Sequence, residues 1–255
     1  MSTTRPNGSL YTKIENNIAT IEFGHPASNS FTSELLKRLT TEIDKISAHP
    51  EVSIIVLKSE GERAFCAGAS FDELVAISDL GEGKTFFSGF ANVINAMRNC
   101  TQPIIGRVQG KTVGGGVGLA AACDYVYATE SASIKLSEIS IGIAPLVIAP
   151  VVEHKIGKDG LAELALNPTE WKNAYWAKEK GLYSKVYDSI VEMDKALDHH
   201  TLKLASYNIE ALSVMKKALW EGTAHWSELL LERAEQSGRL ALSKATKEAL
   251  AKFKK

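Results

Sequence analysis

Cysteine is scarce in this chain, and the three present are scattered at Cys66, Cys100 and Cys123. None forms a C-x-x-C pair, so zinc-ribbon and thioredoxin-like chemistry have no framework and no metal is expected. An odd, low count suits a reducing compartment, and a cytoplasmic location is the expectation. An excess of charge of either sign is also missing: 29 Lys and Arg stand against 30 Asp and Glu, a formal net charge of −1. Nucleic-acid binding as a main function is therefore not expected, because it usually needs a basic face. No apolar run is long enough to span a bilayer. The stretch 139–152 is too short and is broken by Pro145 and Pro150. Residues 1–8 are polar, so neither a secretory leader nor a membrane partner is expected. Low-complexity linkers are lacking too, and 255 residues suit one large domain, with or without a small helical appendage. That length buries a core without disulfides or a structural metal.

Runs at 10–15 and 17–23 alternate as a hairpin about Asn16-Asn17. Thr32 is placed to cap a helix whose apolar face is Leu35, Leu36, Leu39, Ile43 and Ile46, ended by Pro50. A β-branched strand is predicted over 54–58, and helical spacing appears over 71–77 and 85–99. Strands follow at 104–109, 125–128 and 133–136, with a small-residue helix over 119–123. From Ala149 the chain reads as mostly helical. Strands alternating with helices, then a helical tail, predict an α/β core with helices packed outside.

Three segments are candidates for chemistry. Phe65-Cys66-Ala67-Gly68-Ala69 links a strand to a helix, and its small residues allow a backbone N–H to face a pocket. A tight loop without function is the plainer reading. Gly114-Gly115-Gly116 stands directly before a small-residue helix. Each glycine costs about 1 kcal/mol in a helix, so close approach is needed there, either by a substrate oxygen at the helix N-terminus or by a packed sheet. Gly110-Lys111-Thr112 imitates a phosphate-binding loop, but position 105 is Ile where that motif needs glycine. A dinucleotide fingerprint from Gly114 and Gly116 fails at Leu119. The third candidate is Glu138, set among apolar residues after a strand. A carboxylate shielded from water has a raised pKa suited to proton transfer, although a solvated or paired glutamate is commoner.

Taken in order, these segments resemble the enoyl-CoA hydratase/isomerase (crotonase) family across nearly the whole chain. Asn29-Ser30-Phe31 resembles its Asn-Ala-Leu, and residues 65–69 resemble its Phe-x-Ala-Gly-Ala. Residues 108–116 with Cys123-Asp124 resemble its central signature, Glu138 with Gly142 and Pro145 its Pro-Glu-x-x-x-Gly-x-x-Pro, and Trp176-Ala177 with Gly181-Leu182 its later segment. The resemblance implies a spiral of ββα units over 1–195 and a helical region over 196–255 used for trimer or hexamer formation. It implies an acyl-CoA thioester substrate and no cofactor beyond that CoA. By position, Ala69 and Gly115 would supply two N–H donors of an oxyanion hole, with Glu138 as the catalytic acid/base. Cys66, Ala67, Gly68 and Gly114 would line the substrate site.

Two departures from the family pattern stand out. Gly118 occupies the place of a first catalytic glutamate, and Ser70 that of a common aspartate. A subgroup acting on branched, glutaconyl-type thioesters shares the glycine, and residues 170–172, 176–183 and 215–222 resemble it. A hydratase of a branched or carboxylated 2-enoyl-CoA is therefore the leading expectation. A Δ3,Δ2-enoyl-CoA isomerase with one glutamate is the alternative, and a non-catalytic binding protein on the same fold is a third. Lys111 is the expected cation for an acyl carboxylate. Phe253 and Lys254 are candidate contacts to CoA, or else part of a solvated basic tail.

Overall fold

Alternation of apolar residues builds the N-terminal ribbon in the computed structural model, which describes residues 7–252. β1 (Ser9–Glu15) and β2 (Ile18–Gly24) pair antiparallel around Asn16 and Asn17, whose φ values of 51° and 63° lie in the left-handed region. Asparagine tolerates that region better than most residues. Ala19, Ile21 and Phe23 point into the core. Thr32 caps α1 (Ser33–Ser47) by accepting from Leu35 N at 3.1 Å, and the five predicted apolar residues form its buried face.

Three strand–strand–helix units follow. The first is β3 (Ile54–Ser59), β4 (Ala64–Cys66), then α2 (Phe71–Ala76) and α3 (Leu80–Asn99). The second is β5 (Ile104–Val108), β6 (Lys111–Val113) and α4 (Gly115–Ala122). The third is β7 (Tyr125–Thr129), β8 (Ser133–Lys135), a 3₁₀ turn at Glu138–Ile141 and α5 (Ala149–Ala165). The chain continues through β9 (Lys172–Asn173), α6 (Ala174–Glu179), β10 (Lys185–Tyr187), α7 (Ile190–Ala205), α8 (Ile209–Leu219), α9 (Trp226–Ala241) and α10 (Lys244–Ala251). The first strand of each unit joins a six-stranded sheet of order β1-β2-β3-β5-β7-β10, parallel from β2 onward. The second strand joins a four-stranded sheet, β4-β6-β8-β9. Each unit therefore repeats one turn of a ββα spiral.

Several boundaries differ from those the sequence predicts. α3 begins five residues before Thr85, because Asp79 accepts from Glu82 N at 2.9 Å and carries Gly81 and Gly83 into the first turns. α4 starts at Gly115, so the glycine run is itself the first turn of the helix. β4 and β6 have three residues each, too few to show alternation. The mostly helical tail is interrupted by β9 and β10, the latter closing the large sheet against β7. α7 passes without a break through position 195.

A buried polar knot ties the tail to the spiral. The Asp124 carboxylate accepts from Ile104 N (2.6 Å), Lys216 Nζ (2.7 Å) and Trp220 Nε1 (2.7 Å). Lys216 is 1% exposed, so α8 is held by a fully partnered ion pair. Beyond it, α9 returns to α3, and the two helices cross at Gly83 and Gly238. A Cβ on Gly238 would lie 2.9 Å from the Gly83 carbonyl carbon. Among the described residues, no helix is long and apolar enough to cross a membrane.

Candidate active site

The Ala69 amide is positioned by a single bridge. Phe31 N donates to Gly68 O (2.8 Å), and Ser70 N donates to Phe31 O (2.7 Å). The residue between them, Ala69, then presents its own N–H away from Phe31, as alternation along an extended segment requires. Ala69 also lines a cavity. The Gly115 amide opens α4. Gly115 is the first residue of that helix, so no carbonyl one turn earlier accepts its N–H, and the helix dipole adds positive potential. Gly114 before it has φ 55° and ψ −121°, a conformation that side chains disfavour, and its N–H is tethered to Lys135 O at 2.9 Å. Gly68 packs between the two loops, where an added Cβ would lie 3.5 Å from Gly115 N.

Glu138 enters the same cavity from the 3₁₀ turn. The turn ends at Gly142 (φ 82°), whose carbonyl accepts from Thr246 Oγ1 of α10 at 2.9 Å. A Cβ on Gly114 would stand 2.8 Å from Glu138 Oε1, so the glycine leaves room for the carboxyl. Part of the residue reaches the surface, but Oε2 is sealed from solvent and has no hydrogen-bond partner among the described residues. Burial pushes the carboxyl up to about 7, against a weaker downward pull from its own backbone amide. Near neutral pH both protonation states are populated, which suits a group that must take and return a proton.

The cavity encloses about 190 Å³. Phe86, Phe87 and Phe90 of α3 form one wall, and residues 144–148 form another. Among the described residues, Glu138 is the only ionisable carboxyl or amine on its lining; Ser137 and Ser237 add hydroxyls. Gly118 does not leave a vacancy for a second carboxylate. A Cβ there would run into the Ile148 side chain, so hydrocarbon fills that space.

The structure brings Ala67, Gly68, Ala69, Gly114, Gly115 and Glu138 to this one cavity. It does not bring Cys66 or Lys111, and both expectations are corrected. Cys66 is fully buried behind the loop, its thiol pushed up to about 12 by burial. Lys111 is exposed, with Nζ 5.3 Å from the centre of the Trp171 ring, which Lys135 also approaches at 4.6 Å. Phe253 and Lys254 lie outside the described residues. No group of three or more metal-ligating side chains occurs among the described residues. Sequence reasoning missed Ile148 and Ser237 as site residues, and read Phe86, Phe87 and Phe90 only as a helix face. The break of 139–152 by two prolines was the one signal that this apolar run wraps a site.

The model of the enoyl-CoA hydratase/isomerase family matches residues 13–253. YngF of Bacillus subtilis, named for enoyl-CoA hydratase/isomerase, is 32% identical over 190 residues, 73% of this chain and 72% of its own length. Mitochondrial methylglutaconyl-CoA hydratase of Homo sapiens is 36% identical over 117 residues, 46% of this chain and 34% of the human protein. The peroxisomal Delta(3,5)-Delta(2,4)-dienoyl-CoA isomerase of Arabidopsis thaliana is 28% identical over 181 residues, 66% of this chain and 64% of its own. The match thus spans about a third of the human relative's length and under two thirds of the plant relative's. The crystal structure of enoyl-CoA hydratase from Bacillus halodurans superposes with a TM-score of 0.89 at 20% identity, covering 95% of this chain and 99% of that one, a likeness of fold. With its fold, its paired small-residue loops and the family match over nearly its whole length, the chain belongs to the enoyl-CoA hydratase/isomerase family, whose members act on acyl-CoA substrates.

Proposed function

We propose that the chain is a one-carboxylate enoyl-CoA hydratase, adding water to a 2-enoyl-CoA or removing it in reverse. The observation that carries the acid/base role is Glu138 Oε2, buried and without a hydrogen-bond partner among the described residues, in the cavity that Ala69 and Gly115 also line. As a carboxylate, Glu138 takes a proton from water while the water oxygen bonds to C3 of the thioester. The electron pair of the C2–C3 double bond shifts to C1–C2 and the carbonyl π pair moves onto the thioester oxygen, where the two N–H groups stabilise the charge. Glu138 then returns the proton to C2. Water and thioester supply every atom, so no resident cofactor is needed. A cavity of about 190 Å³ is smaller than sites that enclose a whole drug-sized ligand, which fits the acyl end while the carrier stays outside. The name of the human relative supports a branched, glutaconyl-type acyl group.

Exposed apolar residues on α8, among them Val214 (60%) and Met215 (54%), support burial of that face against another chain, and the assembly in this reading is a homotrimer or a dimer of trimers. A cytoplasmic location completes the reading, with acyl-CoA rather than nucleic acid or membrane as partner.

A second reading, Δ3,Δ2-enoyl-CoA isomerase, is favoured by Ile148 in the place where a second carboxylate would stand. Glu138 would then take a proton from C2 and return it to C4, with no water bonded. A panel of 2- and 3-enoyl-CoAs, read by product mass, separates the two. Gain of one water supports hydration, and unchanged mass with altered absorbance supports isomerisation. Loss of neither activity on mutation of Glu138 would sink both.

The filled space also makes a prediction. Gly118→Glu should not create a two-carboxylate enzyme. The new side chain meets Ile148 and brings an unpaired charge into hydrocarbon, and overpacking alone costs about 1–3 kcal/mol. A lower melting temperature and reduced turnover are expected, with partial recovery when Ile148→Ala is added. Faster hydration by Gly118→Glu alone would contradict this account.

A further inference from the structure

One buried hydroxyl in the cavity wall, that of Ser237, makes no hydrogen bond among the described residues. The residue is 1% exposed. A helical serine can return its O–H to the carbonyl one turn back, and Ser237 does not. An unmade hydrogen bond on a buried group is costly, and alanine would avoid the cost. The hydroxyl is therefore a polar group available for recognition beside the phenylalanine rings of α3.

Its place along the cavity follows from two helix contacts. A Cβ on Gly115, at the donor end, would run into the Phe90 ring. Gly83 of the same helix touches Gly238, the neighbour of Ser237. Seven residues of α3 separate the two contacts, about 10 Å at 1.5 Å per residue. Phe86 and Phe87 lie between them on the cavity wall. An acyl chain whose carbonyl oxygen meets Ala69 and Gly115 and which runs along these rings reaches Ser237 several bonds later.

We propose that Ser237 is a specificity-determining residue, selecting acyl groups that carry an oxygen (hydroxyl, carbonyl or carboxyl) several bonds beyond the thioester over hydrocarbon chains of the same length. The inference rests on the acyl-CoA reading of this cavity and adds the substrate class to it. A buried hydroxyl rejects an apolar partner because its own hydrogen bond stays unmade, whereas a hydrocarbon wall discriminates weakly against an added oxygen.

Binding of saturated, unreactive thioesters tests this without depending on turnover. Calorimetric titration would compare hexanoyl-CoA and octanoyl-CoA with 6-hydroxyhexanoyl-CoA, 8-hydroxyoctanoyl-CoA and adipoyl-CoA. The wild type is expected to bind at least one oxygenated thioester about 10-fold more tightly than its hydrocarbon counterpart. Ser237→Ala should erase that preference and raise the melting temperature by about 2–4 °C, because it removes the unpartnered hydroxyl. Binding without preference in the wild type, or a preference that Ser237→Ala keeps, overturns the inference alone. Failure of every acyl-CoA to bind overturns the thioester reading beneath it as well.

Discussion

Glu138→Gln is expected to lower kcat by about 10²–10⁴-fold, the range for losing a positioned acid/base group, while acyl-CoA still binds. Glutamine keeps the shape of the side chain but neither takes nor returns a proton. The same substitution should stabilise the fold at alkaline pH, and the sign can be worked out. The folded carboxyl titrates at about 7, above its ordinary value of 4.5. Between those two pH values the folded state holds a proton that the unfolded state has released. Stability therefore falls as pH rises through this window, and the full cost is present above it. The shift corresponds to roughly 3 kcal/mol at most. Melting curves of the wild type should decline from pH 5 to pH 8, and those of Glu138→Gln should decline less. The wild-type kcat/KM for hydration should rise with pH through about 7, since the first step needs the carboxylate. A variant as active as the parent, or equally pH-sensitive in its melting, would remove Glu138 from the mechanism.

Gly115→Ala should be nearly as damaging, by a different route. The added methyl meets the ring of Phe90, which is 3% exposed and has little room to retreat. Phe90 stands edge-on to Phe31 with ring centroids 6.2 Å apart, and Phe31 holds both hydrogen bonds that bracket Ala69. One methyl at the second donor thus presses, through two rings, on the first. Losing an oxyanion donor costs on the order of 10²–10³ in kcat, and overpacking adds about 1–3 kcal/mol of instability. Phe90→Leu should recover packing in the double variant and restore part of the turnover. Wild-type kcat in Gly115→Ala, measured on the preferred substrate of the parent, would show that this amide does not touch the reacting oxygen.

The parts of the site that were legible in the sequence are those where chemistry forbids ordinary side chains. Gly68, Ala69, Gly114 and Gly115 stand out because a backbone donor tolerates little around it. Thr32 and the Asn16-Asn17 turn were readable because a cap and a left-handed turn each need particular atoms. The apolar wall was not readable as a wall. Phe86 and Phe90 follow the same spacing as any core face, and a periodic pattern does not tell a cavity from filled space; Ile148 stands before α5, outside any periodic run. Lys111 was misplaced for a reason of parity. It alternates with Thr112 along a three-residue strand, Thr112 is fully buried, and Lys111 therefore points out. Ser237 left no trace in the sequence, because its meaning depends on a helix crossing set by Gly83 and Gly238, residues far apart in the chain.

The order in which the ribosome delivers these pieces has a consequence of its own. Both donors and the glutamate are synthesised well before α9, which begins at Trp226. At about 5–20 residues per second, a nascent chain waits on the order of 5–20 s between Glu138 and that helix. Until α9 is made, Phe86, Phe87 and Phe90 lack the wall that carries Ser237, so the cavity is among the last features of the fold to be completed.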